Sequence, residues 1–237
     1  MTFKYQNVYL NGVSTIVGPY EKDGPLKRLF DRSYDDLHMN FETFERAEIH
    51  LMEESIDILL DKINKKKKDI NLFIGGDLQN QITSSCFAAL HIKSPFLGIY
   101  SACATNTEGL ILAANLIDSK KISNSIVSVS SHNMVSERQF RNPTEYGAPK
   151  PSSATFTATG GASAYLSNMQ GGIKISSSTI GRVIDMDQND PNNMGACMAG
   201  AAADTIYRHL KNMHEKVEDY DLILTGDLGK YGKEILI

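Results

Sequence analysis

The sequence predicts an α/β fold made from two copies of one half, and three observations predict it. The first is an internal repeat. DINLFIGGDL (69–78) returns 150 residues later as DYDLILTGDL (219–228), with five identities in ten. At the same spacing, without a gap, the helix-like run 53–64 lies over 203–214. A repeated supersecondary unit decides architecture before other signals do, and this period is far too long for a solenoid. The second is the alternation of strand-like and helix-like segments, which implies a mostly parallel, helix-covered sheet. The third is that the second copy reaches Ile237 just after its first strand. The expectation is therefore an α/β fold of duplicated αβαβα layers with its second half incomplete. Residues 1–180 form the first half, and 181–237 begin the second.

The elements follow in order. Residues 7–17 alternate loosely through Val8, Leu10, Val13, Ile16 and Val17, as a strand or hairpin does, and 19–25 reads as a loop between prolines. Over 45–64, Ile49, Met52, Ile56, Leu59 and Ile63 recur at three- and four-residue steps, which predicts an amphipathic helix. The lysine run 65–68 follows. Cations at a helix exit meet the negative end of its dipole, and contact with anionic lipid is the functional alternative. Short strands are predicted at 72–74, 96–100 and 126–130, with helices at 81–90 and 105–117 between them. Residues 133–158 are polar and aperiodic, the mark of a functional or disordered loop. Two more strands, 162–166 and 173–180, flank Gly171 and Gly172. A helix at 199–213 and a strand at 221–225 open the second copy, the latter expected to share a central layer with 72–74.

Composition narrows the function classes. A chain of 237 residues can bury a real core, and 41% apolar with 22% charged residues is ordinary for a globular protein. A net charge of −4 argues against a general nucleic-acid binder. No run is long enough to cross a bilayer, and the first residues lack the apolar stretch of a signal peptide. Three cysteines without metal-ligand spacing fit reduced thiols in a cytosol-like compartment.

Cys103 is the sharpest candidate for chemistry. It lies in SACATN (101–106), between a strand and a helix, where backbone N–H groups and the helix dipole favour a thiolate. The alternative is a small cysteine packed at a tight turn. Cys86 and Cys197 read as packing residues. A nucleophilic thiol needs a base and an oxyanion hole. His132, ending a strand, either faces a pocket or serves as a structural hydrogen-bonder. The segment SERQFRNPTEYG (136–147) holds Arg138, Arg141 and Glu145. It is either an anion pocket, since arginine forks match carboxylates, or a surface ion-pair cluster. Asp77 and Asp227 occupy matching places in the two copies. Each is either a ligand group at a strand's C-terminal edge or the cap of the next helix.

These residues resemble a family. SACATN is similar to the nucleophile turn of the thiolase-like superfamily, and TGGASAYL (159–166) to the Gly-rich strand closing its first half. Within it the chain more closely resembles the stage V sporulation protein AD family of spore-forming Firmicutes. The matching segments are EKDGPL (21–26), SSHN (130–133), ERQFR (137–141), PTEYG (143–147), AAADTI (201–206) and YDLILTGDL (220–228). The resemblance implies binding of dipicolinic acid, free or with Ca²⁺, and help in loading it into the forespore beside other stage V sporulation A-operon proteins. It implies peripheral association with the forespore inner membrane, a homodimer formed through the first half, and neither a resident cofactor nor nucleic acid. The condensing enzymes carry a His just after the first strand of the second half, where this chain reads Thr225, Gly226, Asp227. A non-catalytic binding pocket is therefore expected, with Cys103 as a vestigial nucleophile. Cys103, His132, Arg138, Arg141, Glu145, Asp77 and Asp227 would line it, Glu145 or Asp77 meeting any bridging Ca²⁺. The alternative is a ketoacyl-synthase-like acyltransferase using Cys103.

Overall fold

The structure is a computed structural model that describes residues 1–137, 140, 157–190 and 193–237. They fall into two compact units. Of the described residues, one unit contains 5–137, 140 and 157–176, and the other contains 1–4, 177–190 and 193–237.

The larger unit is a three-layer sandwich. Its seven-stranded sheet runs β3-β2-β7-β6-β4-β5, with β8 also against β2. The strands are β2 (Tyr9–Val17), β3 (Arg32–Ser33), β4 (Phe73–Gly76), β5 (Phe96–Gly98), β6 (Asn124–Ser131), β7 (Gly160–Ser167) and β8 (Ile173–Lys174). β1 (Thr2–Lys4) belongs to the other unit. The sheet is mixed rather than mostly parallel. β4 pairs in parallel with β5 and β6, whereas β7 runs antiparallel to both β6 and β2. Among the described residues, the helices that accompany it are the short α1 (Pro19–Lys22), α2 (Phe44–Lys62), α3 (Thr83–Ile92) and α4 (Thr105–Asp118).

Side-chain alternation sorts the helices onto two faces. Phe73 and Ile126 join Met52, Ile56, Leu59 and Leu60 of α2 and Ala88 and Ile92 of α3 in one buried cluster. Their neighbours Ile74 and Val127 point the other way, toward Gly109 of α4. α2 begins where Thr43 Oγ1 accepts the Arg46 N–H. Buried serines stitch α2 to the sheet: Ser55 Oγ lies 2.7 Å from Ser163 Oγ, which lies 2.8 Å from Ser128 Oγ.

In the smaller unit, β1 pairs antiparallel with β9 (Ser177–Thr179). The single strand expected over 173–180 is thus two short pieces serving different sheets. α5 (Met194–Met213) starts where Asn193 Oδ1 accepts the Ala196 N–H, and α6 (Gly229–Leu236) packs against it.

The repeat is visible in hydrogen bonds. Lys65 N–H donates to the Leu60 carbonyl, and Glu215 N–H to that of Leu210, both at 3.0 Å. Asp69 Oδ2 accepts the Lys66 N–H at 2.9 Å, and Asp219 Oδ2 that of Lys216 at 2.8 Å. Asp77 Oδ1 accepts the Gln79 N–H at 2.9 Å, and Asp227 Oδ1 that of Gly229 at 2.8 Å. Asn64 and His214, again 150 apart, both end their helices at positive φ. The strand between these matched turns differs. Residues 73–76 are fully buried in the sheet. Residues 222–225 form no strand, and Leu222 and Leu224 are 69% and 81% exposed. The expected strand at 221–225 is therefore absent from the central layer. A strand is held by its neighbours, and among the described residues none lies beside this segment.

Candidate functional site

Three loops meet the C-terminal ends of the parallel strands. The loop after β4 carries Asp77, the one after β5 carries Tyr100 and Cys103, and the one after β6 carries His132 and Glu137. Open α/β sheets place ligands at this edge.

Cys103 sits in a tight turn, Ala102–Ala104, directly before α4. Ala102 is held at φ +47°, a conformation that residues with a side chain rarely adopt. Thr105 secures the turn, accepting the Ser101 N–H at 3.0 Å and donating to the Ala102 carbonyl at 2.7 Å. Gly76 lets β4 pass close beneath it, because a Cβ there would lie 2.4 Å from both the Ile99 carbonyl oxygen and Thr105 Cγ2. Cys103 is exposed at the positive end of the α4 dipole, where no side chain caps the helix and the Ala104 and Thr105 N–H groups donate to the Ser101 and Ala102 carbonyls. Nearby, burial raises the Tyr100 hydroxyl above its ordinary pKa, with the charges of Glu137 and Cys103 adding to the effect. On α4, Glu108 Oε2 is buried without a hydrogen-bond partner among the described residues.

His132 is fully buried. Its Nε2 donates to the Leu37 carbonyl at 3.0 Å, and its Nδ1 accepts the Met134 N–H at 3.2 Å. These bonds define a neutral tautomer, and burial lowers its pKa accordingly. The ring leans on Phe44 with centroids 5.2 Å apart. Both nitrogens are thus engaged with backbone, the arrangement of a structural hydrogen-bonder.

Asp77 is 2% exposed. Its Oδ1 accepts the Gln79 N–H, and its Oδ2 accepts both the N–H and the hydroxyl of Ser85, at 2.7 and 2.6 Å. It therefore caps α3 from outside the helix. Burial raises its pKa against these donors. Asp227 is exposed and, among the described residues, accepts the Gly229 N–H. Arg138, Arg141 and Glu145 lie outside the described residues. Cys86, expected to be packed, is exposed. α3 buries Ser84, Ser85, Ala88 and Ile92, and turns the face bearing Cys86, Phe87 and Leu90 outward.

One residue absent from the expected set lies beneath this edge. Glu48 of α2 is completely buried. Its Oε1 accepts the Ser130 hydroxyl at 2.9 Å, and its Oε2 accepts Gln79 Nε2 at 3.1 Å. Burial first, then the negative charge of Asp77, pushes its pKa up to about 8. At neutral pH Glu48 holds the proton, with Ser130 Oγ in reach as its acceptor, while at Asp77 three donors and the α3 dipole work against the effect of burial. A signal was available: Glu48 stands four residues before Met52, on the apolar stripe of α2.

The fold is shared with solved structures of low sequence identity. Cerulenin-bound OleA of Xanthomonas campestris aligns with a TM-score of 0.67 at 12% identity, covering 99% of this chain and 80% of that one. The 3-oxoacyl-(acyl carrier protein) synthase III, FabH, of Xanthomonas oryzae pv. oryzae aligns at 0.66 and 12%, covering 99% and 81%. In sequence, Stage V sporulation protein AD of Bacillus subtilis (strain 168) is 45% identical over 229 residues, 97% of this chain and 68% of that protein. The profile of the Stage V sporulation protein AD (SpoVAD) family matches residues 1–237. With a thiolase-like sheet and a cysteine turn at its strand edge, the chain belongs to the stage V sporulation protein AD family.

Proposed function

We propose that this chain binds dipicolinic acid, free or as its calcium chelate, in a thiolase-like pocket that no longer performs acyl transfer. It would thereby support uptake of the compound into the forespore, with other proteins of the stage V sporulation A operon at the forespore inner membrane. The observation that carries the reading is His132. Its nitrogens are bonded to the Leu37 carbonyl and the Met134 N–H, so it does not serve Cys103 as a base. A thiol lacking base and oxyanion stabilisation is a poor catalyst. The positive end of the α4 dipole, where no side chain caps the helix, suits one carboxylate of a flat dianion, and the arginine forks of Arg138 and Arg141 suit the other. Ca²⁺ enters as part of the cargo. No helix among the described residues is long and apolar enough to cross a membrane, which fits peripheral association. A second copy would cover the edge strand β5, where Phe96 and Leu97 stand exposed beside Phe87 and Leu90.

Calorimetric titration with dipicolinate, with and without Ca²⁺, tests the reading. Saturable heat that disappears in Arg138→Ala and Arg141→Ala, with the fold intact, is expected; no heat in either condition ends it. The exposed Cys103 beside a positive-φ residue favours one rival, residual acyl transfer. That reading requires an acyl-CoA to add mass to the Cys103 peptide.

A further inference from the structure

The strand ends opposite the candidate site carry a different chemistry. β4, β5 and β6 run parallel, so the turns before them open on one edge of the sheet. β7 ends there, with Ser167 opposite Asn124, and β8 joins it beside Tyr9 and Leu10. Six exposed lysines gather at this edge: Lys66 and Lys68 before β4, Lys93 before β5, Lys120 and Lys121 before β6, and Lys174 on β8. Among the described residues none of the six makes an ion pair. Of the nearby carboxylates, Asp69 accepts the Lys66 N–H, Asp118 accepts those of Gln6 and Asn7, and Asp57 pairs with Lys67 and His91. Asp61 sits in the last turn of α2. The chain as a whole carries −4, so this edge is cationic against the average. Two apolar side chains stand out among the lysines, Met169 at 58% and Ile173 at 72% exposure, at either end of the turn joining β7 to β8. An open cleft of about 530 Å³ lies between Lys120, Lys121, Asn71, Ser123 and Asn168.

We propose that this edge is the docking surface for an anionic lipid bilayer, with the lysines meeting headgroup phosphates and Met169 and Ile173 entering the interface. The ammonium groups come from four separate segments and spread along the edge instead of converging on one point, which suits an extended anionic plane better than a single small anion. The two exposed apolar side chains suit a lipid interface and would gain nothing on a purely polar polyanion. The inference deepens the membrane association proposed above and turns the opposite sheet edge, with Cys103, away from the lipid.

The test is co-sedimentation of the full chain with phosphatidylcholine vesicles, with and without phosphatidylglycerol. Partitioning onto anionic vesicles is expected to weaken as salt rises. Each lysine near an anionic surface is worth about a fivefold change, so the Lys120→Gln, Lys121→Gln double variant should bind roughly twenty- to thirtyfold more weakly. Met169→Ser with Ile173→Ser should weaken binding at every salt concentration. Equal binding to neutral vesicles, an unchanged double variant, or displacement by inorganic phosphate at matched ionic strength would overturn the proposal, the last by revealing a simple phosphate site. Dipicolinate titration of the same variants separates the two readings. Lysine-dependent vesicle binding without dipicolinate heat leaves the docking surface standing and removes the ligand.

Discussion

Glu48 offers a quantitative check on the site's electrostatics. Its carboxyl titrates near 8 in the folded chain, against an ordinary value of 4.5. The folded state therefore binds this proton more tightly than the unfolded state. Stability from that proton is complete below pH 4.5 and is lost as pH rises toward 8. At about 1.4 kcal/mol for each pH unit between those limits, the loss from pH 5 to pH 8 comes to roughly 3 to 4 kcal/mol. Glu48→Gln removes it. The amide keeps the shape of the protonated carboxyl, with its oxygen accepting from Gln79 Nε2 and its nitrogen donating to Ser130 Oγ. Urea unfolding followed by circular dichroism at pH 5, 6, 7 and 8 would give the difference between the two proteins. The variant should match the parent within about 1 kcal/mol at pH 5 and exceed it by about 3 kcal/mol or more at pH 8. Curves that stay parallel across this range would refute the assignment of the proton to Glu48.

Three further substitutions probe the frame around the site. His132→Ala leaves the Leu37 carbonyl and the Met134 N–H unpaired in a fully buried place and should cost about 2 to 4 kcal/mol by urea unfolding. Because burial lowers the His132 pKa, the stability from its neutral form is present above 6.5 and is lost as pH falls, so His132→Gln should flatten the acid limb of the stability curve. Gly76→Ala would force a methyl against the Ile99 carbonyl and Thr105 and should cost about 2 to 3 kcal/mol; a thermal midpoint equal to the parent's would contradict the close packing under the Cys103 turn. Leu222→Lys with Leu224→Lys changes exposed side chains and should shift stability by less than about 0.5 kcal/mol each, whereas a loss above about 2 kcal/mol would mean the segment is packed after all.

The layered fold was legible because its elements obey simple periods. Ile49, Met52, Ile56 and Leu59 announce α2, and Thr43 caps it where such a residue should. The candidate site was legible only in part. Strand-edge position picked out Cys103, His132 and Asp77, but sequence spacing cannot show what a side chain is bonded to. His132 was compatible with a pocket base or a structural hydrogen-bonder until the Leu37 carbonyl, 95 residues away, decided it. α3 was harder, because Cys86, Phe87, Ala88, Ala89 and Leu90 are apolar in succession and no period marks the buried side. Its buried face instead carries Ser84 and Ser85, which hydrophobic patterning ignores. Glu48 escaped for a related reason: charged residues are assumed to face water unless something pairs them, and its partners come from residues 79 and 130.

The repeat separates local from non-local causes of structure. Three hydrogen bonds recur 150 residues apart with lengths that agree within 0.1 Å, and each is made within a six-residue window. Such turns depend on their own residues alone: an aspartate three positions after the N–H it accepts, or a helix end that tolerates positive φ. The strand between them does not share this independence. Leu72, Phe73 and Ile74 and their counterparts Leu222, Ile223 and Leu224 are equally apolar, yet only the first set leads into a strand, because β5 and β6 flank it and α3 and α4 cover it. Identical local instructions thus produce identical turns and different strands. The apolar run at 222–224 retains the pattern of a buried strand while standing exposed, and a neighbouring strand is what it would need to become one.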